Sequence, residues 1–224
     1  MSDRTLSPST PSDDEPTLGL RPAMARTDVE PSALPTPSAP ASTGRVRAAG
    51  AGVALGAAGY GVTVLVHGSH GFVVDLVGTF FQLGLFGLLT VMVTTAATGT
   101  GRGARALLKV ELGLLTVATV QSLLTLPAGG GQWSTAAQVL DPFWPLSMLG
   151  MAVVGVKVAV AGRWRGVLRG WPAVAESWIL VVLPVGIVLG DGAADIVGGA
   201  HFVLGYGVLG LLLLARPTLT GPRA

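Results

Sequence analysis

The sequence has few of the charged residues that soluble proteins carry at their surfaces. Only 12% of its 224 residues are charged, while 50% are hydrophobic and the mean hydropathy is +0.65. Soluble domains carry about 25% charged residues. A soluble core of this length needs polar residues to cover it, whereas a helix bundle in lipid does not. We therefore expect an integral membrane protein that is surrounded by the lipid bilayer.

Cysteine is absent altogether. This absence excludes disulfides, thiolate metal sites, cysteine-bound iron–sulfur clusters and thiol–disulfide exchange. Asparagine is absent too, and only two lysines accompany twelve arginines. Such a bias is typical of a GC-rich genome, and from it we expect the cytoplasmic membrane of a bacterium.

Motifs of known chemistry are also missing. The chain has no P-loop and no dinucleotide-binding GxGxxG motif, because its GYGVLG string (205–210) lies inside an apolar run, and Ser147 lacks the glycine-flanked elbow of a hydrolase nucleophile. The basic residues form short clusters between apolar runs instead of a continuous stripe. We expect no enzymatic activity, no cofactor and no nucleic-acid partner.

Residues 1–44 differ in composition from the rest of the chain. They are rich in Ser, Thr, Pro, Asp and Ala and show no apolar periodicity. They also lack the charged start, apolar core and cleavage site of a signal peptide. We expect a disordered cytoplasmic tail here, and a short cytoplasmic C-terminal tail at residues 217–224.

Six apolar runs follow between residues 45 and 216. About twenty residues at about 1.5 Å each are enough to cross the hydrocarbon core of a bilayer. The fold class that we predict is therefore all-α, a polytopic membrane bundle of six transmembrane helices. The runs lie at about 46–67, 72–98, 106–127, 141–162, 172–190 and 195–215.

Arginines are confined to alternate connections between these runs. The other connections, HGSHG, PAGGGQWSTAAQVL and DGAA, contain neither Lys nor Arg. The positive-inside rule then predicts that both termini are cytoplasmic. Trp164 and Trp171 lie among the arginines, which is typical of a turn at the lipid interface. The arginines are, in chain order, Arg45, Arg47, Arg102, Arg105, Arg163, Arg165, Arg169 and Arg216.

Local patterns predict helix starts and helix contacts. Asp141 precedes a proline and Asp195 opens the last run, so we expect both to cap helices. Pro184 is expected to kink the fifth helix. Small residues form one face of the first helix and one of the sixth, so we expect both helices to pack inside the bundle. These faces are Gly52, Gly56, Gly59, Thr63 and His67 on the first helix, and Gly198, His201 and Gly205 on the sixth.

Four ionisable residues lie inside the runs toward their cytoplasmic ends: Lys109, Glu111, Lys157 and Glu176. Ionisable groups inside a membrane are costly and often functional. The lysines are close enough to the end to snorkel, and we expect the four groups to neutralise one another by ion pairing. A half-channel or an anionic-lipid site is the alternative.

A second polar set lies toward the outer side: His67, His70, Asp75, Gln82, His201 and Tyr206. We expect His201 to be neutral and bonded to Asp75 or Gln82, and a histidine paired with an acid is typical of proton relays. The histidines also favour the hypothesis of metal or haem ligation, although His67 and His70 lack a helical ligand spacing.

At WPLSMLGM (144–151) and GGAHFVLGYGVLG (198–210) the chain resembles small multi-pass membrane proteins of GC-rich bacteria. The resemblance covers most of residues 45–215. It implies the fold class and carries no activity.

Three functions stay open. Loops too small for a soluble domain favour a non-enzymatic scaffold or regulatory component, with a membrane-protein partner or a second copy of the chain. Polar residues inside the runs favour instead a small-solute or proton-coupled transporter, and the histidines leave haem or metal binding as a minor alternative. The candidate intramembrane site consists of Asp75, Gln82, His201, Tyr206, Glu111 and Glu176.

Overall fold

The computed structural model describes residues 42–128 and 131–221, so residues 1–41 of the predicted tail lie outside it. Of the described residues 85% are helical and none forms a strand. The predicted all-α architecture with six helices long enough to cross a membrane is confirmed. We call these helices spans I to VI: Thr43–His67, Phe72–Thr94, Arg102–Ala128, Thr135–Ala161, Trp171–Leu189 and Asp191–Ala215.

Two predicted helix caps are wrong. Span IV begins after Ser134, whose side chain accepts a hydrogen bond from the backbone N–H of Ala137 at 3.3 Å. It is interrupted at Asp141, and no side chain caps the helix that follows, Phe143–Ala161. Span VI begins at Asp191, so Asp195 lies one turn inside the helix that it was expected to open.

The six spans pack in chain order, and span VI returns to contact span I. Span I fits between its neighbours because it presents glycines on two faces. A Cβ atom on Gly56 would lie 2.9 Å from the Cα of Phe81 in span II. A Cβ atom on Gly61 would lie 2.6 Å from the carbonyl oxygen of Gly199 in span VI. Span I therefore packs between spans II and VI at a backbone distance that larger side chains would prevent.

Aromatic rings from four spans meet at the centre of the bundle. The ring of Phe81 in span II lies 5.8 Å from that of Tyr60 in span I. It also lies 5.2 Å from Phe202 and 5.1 Å from Tyr206, both in span VI. Trp178 of span V reaches the same cluster, 5.4 Å from Phe202. The centre is thus closed by stacked and edge-on rings, which are favourable arrangements for aromatic pairs.

Spans V and VI are both irregular at the level where they touch. Span V consists of the helices Trp171–Glu176 and Trp178–Leu189, which meet at Ser177. Span VI contains a π-helical turn, Phe202–Gly207, between two α-helices. This turn packs against Trp171–Glu176. The helix continues through Pro184, so the interruption of span V lies seven residues before the predicted kink.

The connection between spans IV and V belongs to the core of the protein. Trp164 is 0% exposed, and its Nε1 donates to the Oγ1 of Thr95 at 3.0 Å. The neighbouring Arg165 donates from its backbone N–H to Leu219 and from its guanidinium to Thr218, each through a carbonyl oxygen. The prediction that Trp164 lies at the lipid interface is therefore wrong. Residues Pro217–Thr220 of the expected C-terminal tail form a turn that is packed against this connection.

Candidate functional site

A cavity of about 230 Å³ enters the bundle from the end that lacks arginines. Its mouth is formed by exposed residues of the first connection, Ser69 and His70, and its lining continues down to the buried Gln82. Spans I to V all contribute to it. The polar lining consists of Tyr60, Ser69, His70, Asp75, Gln82, Gln121, Ser122, Thr125 and Asp141, and the aromatic lining adds Phe81, Trp133, Trp144 and Trp178.

Gln82 is the deepest polar residue of the cavity wall and is 3% exposed. Its Nε2 donates to the Oγ of Ser122 at 2.8 Å, whereas its Oε1 is buried without a hydrogen-bond partner. Nearer the mouth, the Nε2 of Gln121 lies 3.5 Å from the Oδ1 of Asp141. The cavity wall therefore holds one buried acceptor oxygen, Gln82 Oε1, that is unsatisfied.

Glu111 lies beneath this cavity, between spans III and IV, and is 1% exposed. The Oγ of Ser147 donates to its Oε1 at 2.7 Å, while its Oε2 is buried without a partner. Gly150, one turn after Ser147, leaves the space for this carboxyl, because a Cβ atom there would overlap Glu111 Oε2. Met148, the residue after Ser147, lines the cavity. The hydroxyl partner of this carboxyl is thus adjacent in sequence to a residue of the cavity wall.

Glu176 lies at the interruption of span V and is also 1% exposed. The hydroxyl of Tyr206, in the π-helical turn of span VI, donates to its Oε2, and its Oε1 is buried without a partner. Glu111 is close enough to interact electrostatically with both residues. Phe81 and Trp178, which flank this pair, line the cavity. Glu111, Glu176 and Tyr206 therefore lie next to residues of the cavity wall, and we call these three residues the carboxyl layer.

The predicted ion pairing of the two glutamates with lysines is wrong. Each carboxyl group has a hydroxyl as its hydrogen-bond partner and one oxygen with none. Lys109 and Lys157 are exposed on the outer face of the bundle. Their positions are compatible with side chains that snorkel toward the end of the span.

His201 joins the irregular parts of spans V and VI. Its Nε2 lies 3.1 Å from the carbonyl oxygens of both Val174 and Ala175. Both partners are acceptors, so this nitrogen carries the hydrogen. In the other direction, the Nε1 of Trp171 donates to the carbonyl oxygen of Gly205 at 2.9 Å. The expected bond of His201 to Asp75 or Gln82 is therefore wrong, since the ring bonds to the carbonyl oxygen of Ala175 and shares that of Val174 with Ser177.

Replacing His201 is expected to affect stability according to the donor that remains. His201→Ala removes the donor to the buried carbonyl of Ala175, while that of Val174 keeps Ser177, and should lower the free energy of unfolding by about 1–3 kcal/mol. His201→Gln keeps a hydrogen-bond donor at a similar distance, so its free energy of unfolding should fall much less. Unfolding of the purified protein by SDS in mixed micelles measures both, with the exposed His67→Ala as the control. Equal losses in the alanine and glutamine variants would contradict this role.

Among the described residues, no three His, Asp or Glu side chains converge on one point. Asp75 and Gln82 line the cavity, Glu111, Glu176 and Tyr206 lie beneath it, and His201 is bonded to backbone. In comparisons with protein-family models, curated proteins and solved structures, nothing matches this chain.

Proposed function

We propose that this chain is an integral membrane protein that moves a small polar solute together with protons. One observation carries the proposal: two buried carboxyl groups, each with one oxygen that lacks a partner, lie next to residues that line a polar cavity. An uncompensated carboxylate in an apolar interior is costly, so it takes up a proton or binds a polar ligand. Side chains of this kind mark ion and proton pathways in membrane proteins.

The hydroxyl partners suit a group that gains and loses a proton. A hydroxyl donates to a carboxylate and also accepts from a carboxylic acid. Glu111 and Glu176 therefore keep Ser147 and Tyr206 as partners in both protonation states. Because the two carboxyl groups share this arrangement, we expect both to take part in the movement of protons.

The floor of the cavity supplies a barrier, and the irregular helices beside it supply a hinge. Phe81, Met148 and Trp178 lie between the cavity and the carboxyl layer. Glu176 stands at the interruption of span V, and Tyr206 lies in the π-helical turn. Discontinuous helices and π-turns are frequent at transport and other functional sites. Bending at Ser177 would displace Trp178 and the Glu176–Tyr206 pair together.

The orientation that we propose follows from the arginines. Every Lys or Arg in the connections that the structure describes lies at the end where span I begins and span VI ends. By the positive-inside rule this end faces the cytoplasm, and in a bacterium the membrane is the cytoplasmic membrane. The cavity then opens to the outside, so an external solute reaches the carboxyl layer through it.

Reconstituted vesicles that contain a pH-sensitive dye test the proposal. Tetramethylammonium, glycine, sulfate and mannitol serve as external probes of different charge. We expect at least one probe to change the internal pH faster than in protein-free vesicles. Traces that match those of protein-free vesicles for all four probes would contradict the proposal. They would favour the scaffold hypothesis, which gives the two carboxyl groups no role.

A further inference from the structure

We propose that the cavity binds a small organic cation. This inference deepens the proposed function by naming the class of solute. It rests on that function only for the claim that the bound cation is then transported. Four observations carry it: the charge of the lining, its aromatic content, an unsatisfied buried acceptor and the volume of the cavity.

The charged groups of the lining favour a cation. Asp75 and Asp141 face the cavity, and neither Lys nor Arg lines it. Among the residues that the structure describes, His70, at the mouth, is the only basic side chain of the lining, and it is close enough to Asp75 to interact electrostatically. An anionic ligand would meet two carboxyl groups without an opposing guanidinium or ammonium group, whereas a cation would be attracted to both.

Aromatic side chains are concentrated at this cavity. Only 6% of the chain is aromatic, yet three of its five tryptophans and one of its two tyrosines line the cavity. Two of the tryptophans, Trp144 and Trp178, pack edge to face with ring centres 5.2 Å apart. Aromatic rings attract organic cations through their quadrupoles, and clusters of rings form the binding sites of quaternary ammonium groups.

Gln82 provides an observation that is independent of the acidic residues. The side chain is 97% buried in the cavity wall, and its amide nitrogen is used by Ser122. The free Oε1 can only accept a hydrogen bond. It therefore matches an N–H or O–H donor, or the polarised methyl groups of an ammonium ion, and it does not match an anion.

The volume limits the size of the ligand. A cavity of about 230 Å³ holds about eight water-sized groups at ~30 Å³ each. This space fits a single ammonium head with a short substituent. Choline and tetramethylammonium are of this size, whereas a peptide or a nucleotide is too large.

Binding of choline to the purified full-length chain tests the inference without any requirement for transport. Isothermal titration and quenching of tryptophan fluorescence should show saturable binding. The neutral isostere 3,3-dimethylbutan-1-ol has the same shape without the charge. Its affinity should be lower than that of choline by roughly tenfold or more. Equal affinities for the two molecules, or no saturable choline binding, would overturn the inference.

Variants locate the site. Asp75→Asn and Gln82→Leu should each weaken choline binding by roughly tenfold, because one removes the charge and the other the acceptor. Asp75→Glu keeps the charge and should retain binding, which separates loss of charge from misfolding. Asp191→Asn removes a carboxyl group outside the cavity and should have no effect. Unchanged affinity in both Asp75→Asn and Gln82→Leu would refute this location.

The inference and the proposed function fail in different ways. Choline binding without movement of choline or protons in vesicles would leave the cation site in place and refute transport. A pH change driven by glycine, sulfate or mannitol, with no choline binding, would support transport and refute the cation site.

Discussion

Glu176→Gln is expected to slow solute-driven proton movement by about a hundredfold or more, the range of effects seen when a proton-transferring group is removed. Glutamine has nearly the same volume and still offers an oxygen to the hydroxyl of Tyr206, so the bundle should remain folded. What it cannot do is release a proton. The vesicle assay with the pH-sensitive dye measures the rate, and size-exclusion chromatography in detergent verifies the fold.

Glu111→Gln should have an effect of the same size, because the two carboxyl groups interact and lie in one layer. Residues that act as a unit are strongly non-additive. The double variant should therefore be no slower than either single variant. Asp191→Asn serves as the matched control, since it removes a carboxyl group that lies outside both the cavity and the carboxyl layer. Proton movement at the unmodified rate in both glutamine variants would show that neither group carries the proton.

The six spans could be predicted because the length of an apolar run determines whether a helix crosses a membrane. The ends were less predictable where backbone geometry decides them. Span II was expected to reach residue 98 and ends at Thr94, and Ala96, two residues further on, has a φ of 48° that an α-helix does not contain. Span IV begins six residues before its predicted start, because Ser134 caps it ahead of the Asp141 interruption.

Glu111 and Glu176 could be singled out because an ionisable group deep in a span is costly wherever it points. Their partners could not be predicted. In a bundle surrounded by lipid the outer face of a helix is as apolar as the inner face, so the sequence carries little information about its rotation. Ser147 was considered only as a nucleophile, and nothing in PLSMLG shows that its hydroxyl faces Glu111.

The cavity was only partly visible in the sequence. Asp75 and Gln82 lie seven residues apart, two helical turns, which places them on one face of span II. The aromatic walls come from spans I, II, IV and V and from the connection before span IV, and no local pattern joins them. The π-helical turn also has no clear sequence signal, because it depends on Tyr206 and Gly205 packing against the interrupted span V.

Trp164→Ala is expected to lower the free energy of unfolding by about 3–5 kcal/mol, the largest stability effect that we predict. The side chain is 0% exposed, and it is the largest fully buried one in the part of the chain that the structure describes. Its removal leaves a cavity that the surrounding helices cannot fill without moving. Unfolding by SDS in mixed micelles measures the loss. Phe80→Ala, which truncates a ring that is 60% exposed to lipid, is the control and should cost far less.

Trp164→Phe separates packing from hydrogen bonding at the same position. Phenylalanine keeps most of the buried ring but loses the Nε1 donor to Thr95, a hydrogen bond that contributes about 0.5–1.5 kcal/mol. Thr95 still donates to the carbonyl oxygen of Val91, so it is not left without a partner. The phenylalanine variant should therefore lie between the wild type and Trp164→Ala. If Trp164→Ala lost no more stability than Phe80→Ala, the connection between spans IV and V would not be part of the core, and Trp164 would lie at the lipid interface as its sequence context indicates.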